Sequence, residues 1–275
     1  MERRSPTPAA ARKRKAIHLL KTALAEGRFV LHYQPIVSGR DSGVRGVEAL
    51  LRWRHPDRQD DNIEELLWSV ERSPVIFRLE NWILQQACRD TAEWQTAGLG
   101  GLRVNVNLSA REFPRADLVE RVTCQLAACG LDPKSVGLEI TETSRMQDFE
   151  AVAEQIQQLT TMGIELWLDD FGTGHSSLEW LSHLPLHGVK IPGTFVERVL
   201  TEKAAQAIVT RVIELAHDLG LRVVAEEVET REQHDFLADR GCDLFQGFLF
   251  YAAMPAKRLP GALAGTRSSS DTLRP

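Results

Sequence analysis

Residues 203–228 read KAAQAIVTRVIELAHDLGLRVVAEEV. Ala204, Ile208, Val212, Leu215 and Leu219 recur at helical spacing, which predicts an amphipathic helix over 203–219. Gly220 follows, where a helix takes its C-terminal cap. The next run, RVVAEEV (222–228), begins as an apolar strand and ends on Glu226, a carboxylate that a core does not need. Helix, glycine, strand and acidic end together make one unit of an α/β repeat.

The same unit recurs outward along the chain. Strand candidates are 29–37 (FVLHYQPIV), 44–52 (VRGVEALLR), 103–109 (RVNVNLS), 136–142 (VGLEITE), 165–170 (ELWLDD), 187–191 (HGVKI), 222–228 and 244–250 (LFQGFLF). Helical patterns lie at 78–96, 116–129 and 149–162, and Gly130 and Gly163 follow the last two. Such alternation suits a (β/α)8 barrel or a doubly wound sheet. The strand ends favour the barrel. They carry Glu48, Asn107, Glu139 with Glu142, Asp169 with Asp170, Lys190, Glu226 with Glu229, and Gln246. In a barrel all C-terminal strand ends converge on one mouth, whereas an open sheet could not bring so many strands to one point. The connection from Ser38 to Ser42 is too short for a crossover helix, so the first two strands should form an antiparallel hairpin. The expected fold is therefore α/β, a modified TIM-like (β/α)8 barrel with one antiparallel strand.

Composition sets the bounds. At 43% hydrophobic and 26% charged, the 275 residues can bury a proper core. One domain is expected over 15–262, between a disordered basic N-terminus (1–14) and a disordered small, polar tail (263–275). The net charge of -5 argues against a surface that coats a DNA or RNA duplex. No apolar run approaches the ~20 residues needed to span a bilayer. The basic N-terminus lacks the apolar core of a secretory signal. Cys88, Cys124, Cys129 and Cys242 fit neither a zinc pattern nor a redox pair, as in reduced cysteines of a cytoplasmic protein.

Carboxylates crowded at a half-buried mouth repel one another, and their pKa values rise. A divalent cation relieves that repulsion, and an oxygen-rich donor set suits Mg2+ or Mn2+ better than zinc. Asp169 and Asp170 are adjacent, so one can bridge two ions while the other binds one. Two ions ~3.5–4 Å apart are the arrangement that hydrolyses phosphodiesters. Any one of these carboxylates alone would read as a solvated loop residue.

Here the sequence resembles a known family. Glu48-Ala49-Leu50 reads EAL. Around it stand YQPI (33–36), LLRW (50–53), VNLSA (106–110), LEITE (138–142), LDDFGTG (168–174), VVAE (223–226) and QGFLF (246–250). Their order and spacing are similar to those of the EAL phosphodiesterases. The resemblance implies hydrolysis of cyclic di-GMP to linear pGpG with two Mg2+ or Mn2+ ions, often in a homodimer. It implies one ion on Glu48, Asn107, Glu139 and Asp169, and a second on Asp169, Asp170 and Glu226. Lys190 would orient or deprotonate the attacking water, with Glu229 pairing to Lys190 and Gln246 hydrogen-bonding near that water. Gln34, Leu51 and Arg52 would contact substrate, and Glu142 would brace the loop after Asp170.

Departures from the family pattern fall elsewhere. His175 stands for a usual Tyr, KIPGTFV for KIDRSFV (Pro192 and Gly193), and AEEVE for AEGVE (Glu227). Residues 59–74 also drift, with Gln59, Ile63 and Pro74 at customary Gly or Pro positions and Arg72 at an acidic one. None removes an expected metal ligand or Lys190. They keep a second reading open, a catalytically weak or inactive module that acts as a cyclic di-GMP receptor or binds a protein partner.

Overall fold

The computed structural model describes residues 8–54, 63–70, 73–109, 115, 117–141, 149–173 and 177–267. Helix α1 (Pro8–Ala25) leads into the hairpin β1 (Phe29–Ser38) and β2 (Val44–Trp53). Then follow α2 (Ile63–Val70), α3 (Val75–Thr96), β3 (Arg103–Asn107), α4 (Leu118–Cys129) and β4 (Val136–Thr141). Next come α5 (Phe149–Thr161), β5 (Glu165–Asp169), α6 (Ser177–His183), β6 (Gly188–Ile191), α7 (Gly193–Val196) and α8 (Lys203–Asp218). The chain closes with β7 (Arg222–Ala225), α9 (Arg231–Ala238), β8 (Leu244–Phe245), β9 (Met254–Pro255) and α10 (Leu259–Arg267).

Strands β2 to β8 run parallel in chain order. Strand β1 pairs antiparallel with both β2 and β8, and so closes the barrel as its one reversed strand. The expected hairpin is present, in a register that sets Gln34 opposite Glu48. Strand β9 adds a short pairing on β1, at Tyr33 and Met254. The middle strands are covered on both faces. Every residue of β5 and β6 is buried, because helices wrap the outside and side chains fill the inside.

The helices bury the apolar stripes that their sequences carry. In α8 the buried row is Ala205, Val209, Ile213 and Ala216, while Ile208 and Leu219 of the expected stripe are exposed. Both rows are apolar, and packing against the sheet selects the one that faces it. Gly130 caps α4 in the left-handed conformation, with φ 64°, as its position after the helix predicts. A second apolar cluster joins α1, α2 and α3 to Phe29 through Leu20, Ala23, Val70, Val75, Ile76 and Leu79.

At the N-terminal ends of the strands a polar cluster ties the barrel together. Glu165 on β5 accepts from Arg103 on β3 at 2.5 Å and pairs with Arg222 on β7 at 2.6 Å. The Trp167 indole donates to the same carboxylate, and the Arg222 guanidinium lies over the Trp167 ring. Carboxylate chemistry at this end is thus spent on structure, which leaves the opposite mouth to be considered.

Candidate active site

Glu48, Asn107, Glu139, Asp169, Asp170, Lys190, Glu226 and Gln246 meet at the C-terminal mouth. Lys190 on β6 points into the barrel and is fully buried. Its ammonium lies 2.7 Å from Glu139 on β4 and 2.7 Å from Glu226 just past β7. It also lies 3.2 Å from Glu48 on β2 and 3.4 Å from Asp169 at the end of β5. Glu48 accepts two further bonds, from Asn107 at 2.8 Å and from Gln246 at 2.8 Å. The Gln246 amide also donates to Gln34 at 3.2 Å, and Gln34 in turn donates to the Tyr251 carbonyl at 3.0 Å. The strand alternation explains the convergence, since these side chains face inward from their strands or from the residue just past them.

The electrostatics follow from burial. Burial alone would strip Lys190 of its proton, but Asp169, Glu139, Glu226 and Glu48 hold its pKa well above the usual lysine value. Burial pushes Glu139 up to about 8, with the Glu48 charge adding to it. Asp170 rises to about 6, through burial and then the Asp169 charge. Burial likewise raises Asp169 and lifts Glu226 well above the carboxylate range. Glu48 goes the other way. Burial opposes its charge, yet Lys190 and the Gln246 and Asn107 amides outweigh that and keep it ionised.

These are the marks of a cation site. Asp169, Asp170 and Glu226 offer carboxylate oxygens that all lie within 4.8 Å of one another, and they are the set expected for the second ion. In the set expected for the first ion, the Lys190 ammonium lies among Glu48, Glu139 and Asp169. Hard oxygen donors and no sulfur suit Mg2+ or Mn2+. A buried acceptor, Gln246 Oε1, has no donor among the described residues. The donor chemistry therefore fits the divalent ions that the sequence pattern implies.

Other expected residues fall differently. Glu229 is exposed and is not among the partners of Lys190; it sits past Glu226 on the turn into α9, where its backbone donates to Gln233. Among the described residues, Lys190 pairs with the inward-facing carboxylates Glu48, Glu139, Asp169 and Glu226. Arg52 is exposed at the end of β2, its guanidinium donating to the Leu51 carbonyl. Leu51 is half-buried. Glu142 and His175 lie outside the described residues. One contributor was missed. Asn105 is buried on β3 and donates to Glu139 at 2.8 Å, which aims that carboxylate at Lys190. The signal was present, since Asn105 and Asn107 are two apart on one strand and share a face.

The EAL domain family model matches residues 18–253. The chain belongs to the EAL domain family. Among curated proteins this EAL domain is similar to the bifunctional diguanylate cyclase/cyclic di-GMP phosphodiesterase MucR of Pseudomonas aeruginosa, 39% identical over 248 residues, 90% of this chain and 36% of that protein. Among solved structures it resembles the PaMucR phosphodiesterase in complex with c-di-GMP, with a TM-score of 0.84 and 39% identity over 89% of this chain and 99% of that one. It also resembles the EAL enzyme Bd1971 in its cAMP- and cyclic-di-GMP-bound form, with a TM-score of 0.87 and 28% identity over 93% of this chain and 70% of that one. The chain spans about a third of the length of the curated relatives it matches. Among the described residues no helix is long and apolar enough to cross a membrane.

Proposed function

We propose that this EAL domain is a phosphodiesterase that opens cyclic di-GMP to linear pGpG with two Mg2+ or Mn2+ ions. The observation that carries the reading is the meeting of Asp169, Asp170 and Glu226 beside the Lys190 cage at the barrel mouth. Glu48, Asn107, Glu139 and Asp169 would hold one ion, and Asp169, Asp170 and Glu226 the other. When bound, the ions supply Lewis acidity at the phosphoryl oxygens and make water acidic enough to react at neutral pH. The protein's own groups do the rest. Lys190, kept protonated by its carboxylates, donates toward the attacking water and the developing phosphoryl charge. Gln246 keeps Glu48 in place with its amide and offers its free Oε1 to a proton of that water. Arg52, exposed at the rim, would face a substrate phosphate, with Gln34 and Leu51 beside it. Glu142 would brace the loop after Asp170. We further propose one working domain over 15–262, a homodimer and a cytoplasmic location.

The receptor reading draws on one observation. Pro192, Gly193 and Glu227, which depart from the family pattern, all lie close behind Lys190 and Glu226 in the chain. The variant Lys190→Ala separates the two. In an enzyme it should lower kcat strongly while cyclic di-GMP affinity stays within about tenfold, the signature of an interaction made in the transition state. Calorimetry in Ca2+ and single-turnover hydrolysis in Mn2+ read both quantities. Wild-type protein that binds the nucleotide but turns over in no metal would establish the receptor instead.

A further inference from the structure

Two departures that stand apart in sequence, Gly193 for Arg and Glu227 for Gly, meet in space. Glu227 follows the metal-site carboxylate Glu226 at the exit of β7 and has φ 51°. That left-handed conformation suits glycine, and a residue with a β-carbon holds it at a cost. The side chain lies across Gly193, at the start of α7. A Cβ at Gly193 would come 2.1 Å from Glu227 Oε2 and 2.7 Å from Glu227 Cβ, so any other residue there would displace the carboxylate. Gly193 is buried and lies three residues beyond Lys190 along the chain. The Glu227 charge also reaches Asp170, where burial, Asp169 and Glu48 already disfavour ionisation. The strain of Glu227 is thus kept where glycine would relieve it, directly after the carboxylate of Glu226 in the chain.

We propose that Glu227 is an affinity-setting residue of this site: seated in the gap left by Gly193, its carboxylate strengthens divalent-cation binding by Asp169, Asp170 and Glu226. The inference rests on the reading that these three hold a divalent ion. The residue is exposed to water, so its contribution is long-range and screened by salt. It adds to the attraction for a dication without being a ligand, and it opposes a phosphate approaching the site before the cation is in place. Cyclic dinucleotide binding to this chain should therefore depend on metal more steeply than it would with Gly at 227.

The test is direct Mn2+ binding to the purified chain without nucleotide, read from the electron paramagnetic resonance signal of free Mn2+. Glu227→Gln keeps the size of the side chain and removes the charge. It should weaken Mn2+ binding about three- to tenfold at ~20 mM salt, with the difference shrinking at ~0.5 M. Gly193→Ala should weaken it as well, by moving the carboxylate. Once Glu227→Gly has removed that carboxylate, adding Gly193→Ala should change Mn2+ affinity no further. Should Glu227→Gln fold poorly, Glu227→Gly takes its place, since glycine relieves the backbone and the same weakening is expected. Equal Mn2+ affinity in wild type and Glu227→Gln at low salt would overturn the proposal while leaving the cation site standing. Wild-type protein that binds no Mn2+, or Asp169→Asn that binds it as tightly as wild type, would overturn the cation reading and the inference with it.

Discussion

A lysine buried as deeply as Lys190 would ordinarily give up its proton, because burial opposes the charged form. Here four carboxylates reverse that, and the same lysine keeps them together while no cation is bound. Lys190→Ala should therefore lower the unfolding free energy of the metal-free protein by ~3 kcal/mol, the scale for a buried charge left without its partner. Mn2+ should restore more stability to this variant than to wild type, and thermal unfolding with and without Mn2+ reads the difference. Proton competition gives a second expectation. Glu139 holds its proton up to about 8 and Asp170 up to about 6, and both must shed it to bind a cation. As pH rises through that window the competing protons leave, so Mn2+ affinity should rise between pH ~6 and ~8 with protons released on binding. Calorimetry in buffers of different ionisation enthalpy would detect the release, and a pH-independent affinity would contradict it.

At the scale of elements, the two ends of the barrel use the same residue types for different ends. Glu165 sits among Arg103, Arg222 and Trp167 at the N-terminal ends of β3, β5 and β7. Glu165→Ala should cost ~2 kcal/mol, discounted because both arginines are partly exposed, and leave turnover near wild type. Glu48→Ala at the other end should take turnover down by orders of magnitude, a loss that Glu165→Ala does not show. The strands were legible because apolar runs alternate with helical periods and end on polar residues at regular positions. Several features were not. Strand β8 stops at Phe245 although the apolar run LFQGFLF continues to Phe250. A Cβ at Gly247 would lie 2.1 Å from the Val228 carbonyl, and this close approach of two backbones turns the chain after Gln246. The short β9 pairing depends on tertiary contact with β1 and leaves no local pattern. Helix α1 already begins at Pro8, where the basic, alanine-rich sequence gave no apolar periodicity. It is held through Ala16, Leu20 and Ala23 against α2, α3 and Phe29. Leu20→Ala should accordingly cost ~3 kcal/mol in urea unfolding, as a buried leucine does when a cavity is left behind.

Over the whole molecule, closure by the reversed strand β1 brings Gln34 to Glu48 and the ends of seven parallel strands to one mouth. The site could be anticipated because the barrel turns position along each strand into position in space. What the sequence left unread were relations across strands: Asn105 aiming Glu139, the four-carboxylate cage of Lys190, and the contact between Gly193 and Glu227. Each depends on which inward side chains fill the same layer, and strand periodicity does not specify that. The match spans about a third of the length of the first curated relatives. On the proposed function, carboxylates from separate strands assemble a divalent-cation site that cleaves a phosphodiester. The most direct test is single-turnover hydrolysis of cyclic di-GMP by the purified chain, first in excess chelator and then with Mn2+ or Mg2+ restored. No linear product should form in chelator, and pGpG formation should recover on adding either ion, with Ca2+ a poor substitute because of its looser coordination. Full turnover in excess chelator, or none in any metal, would contradict that function.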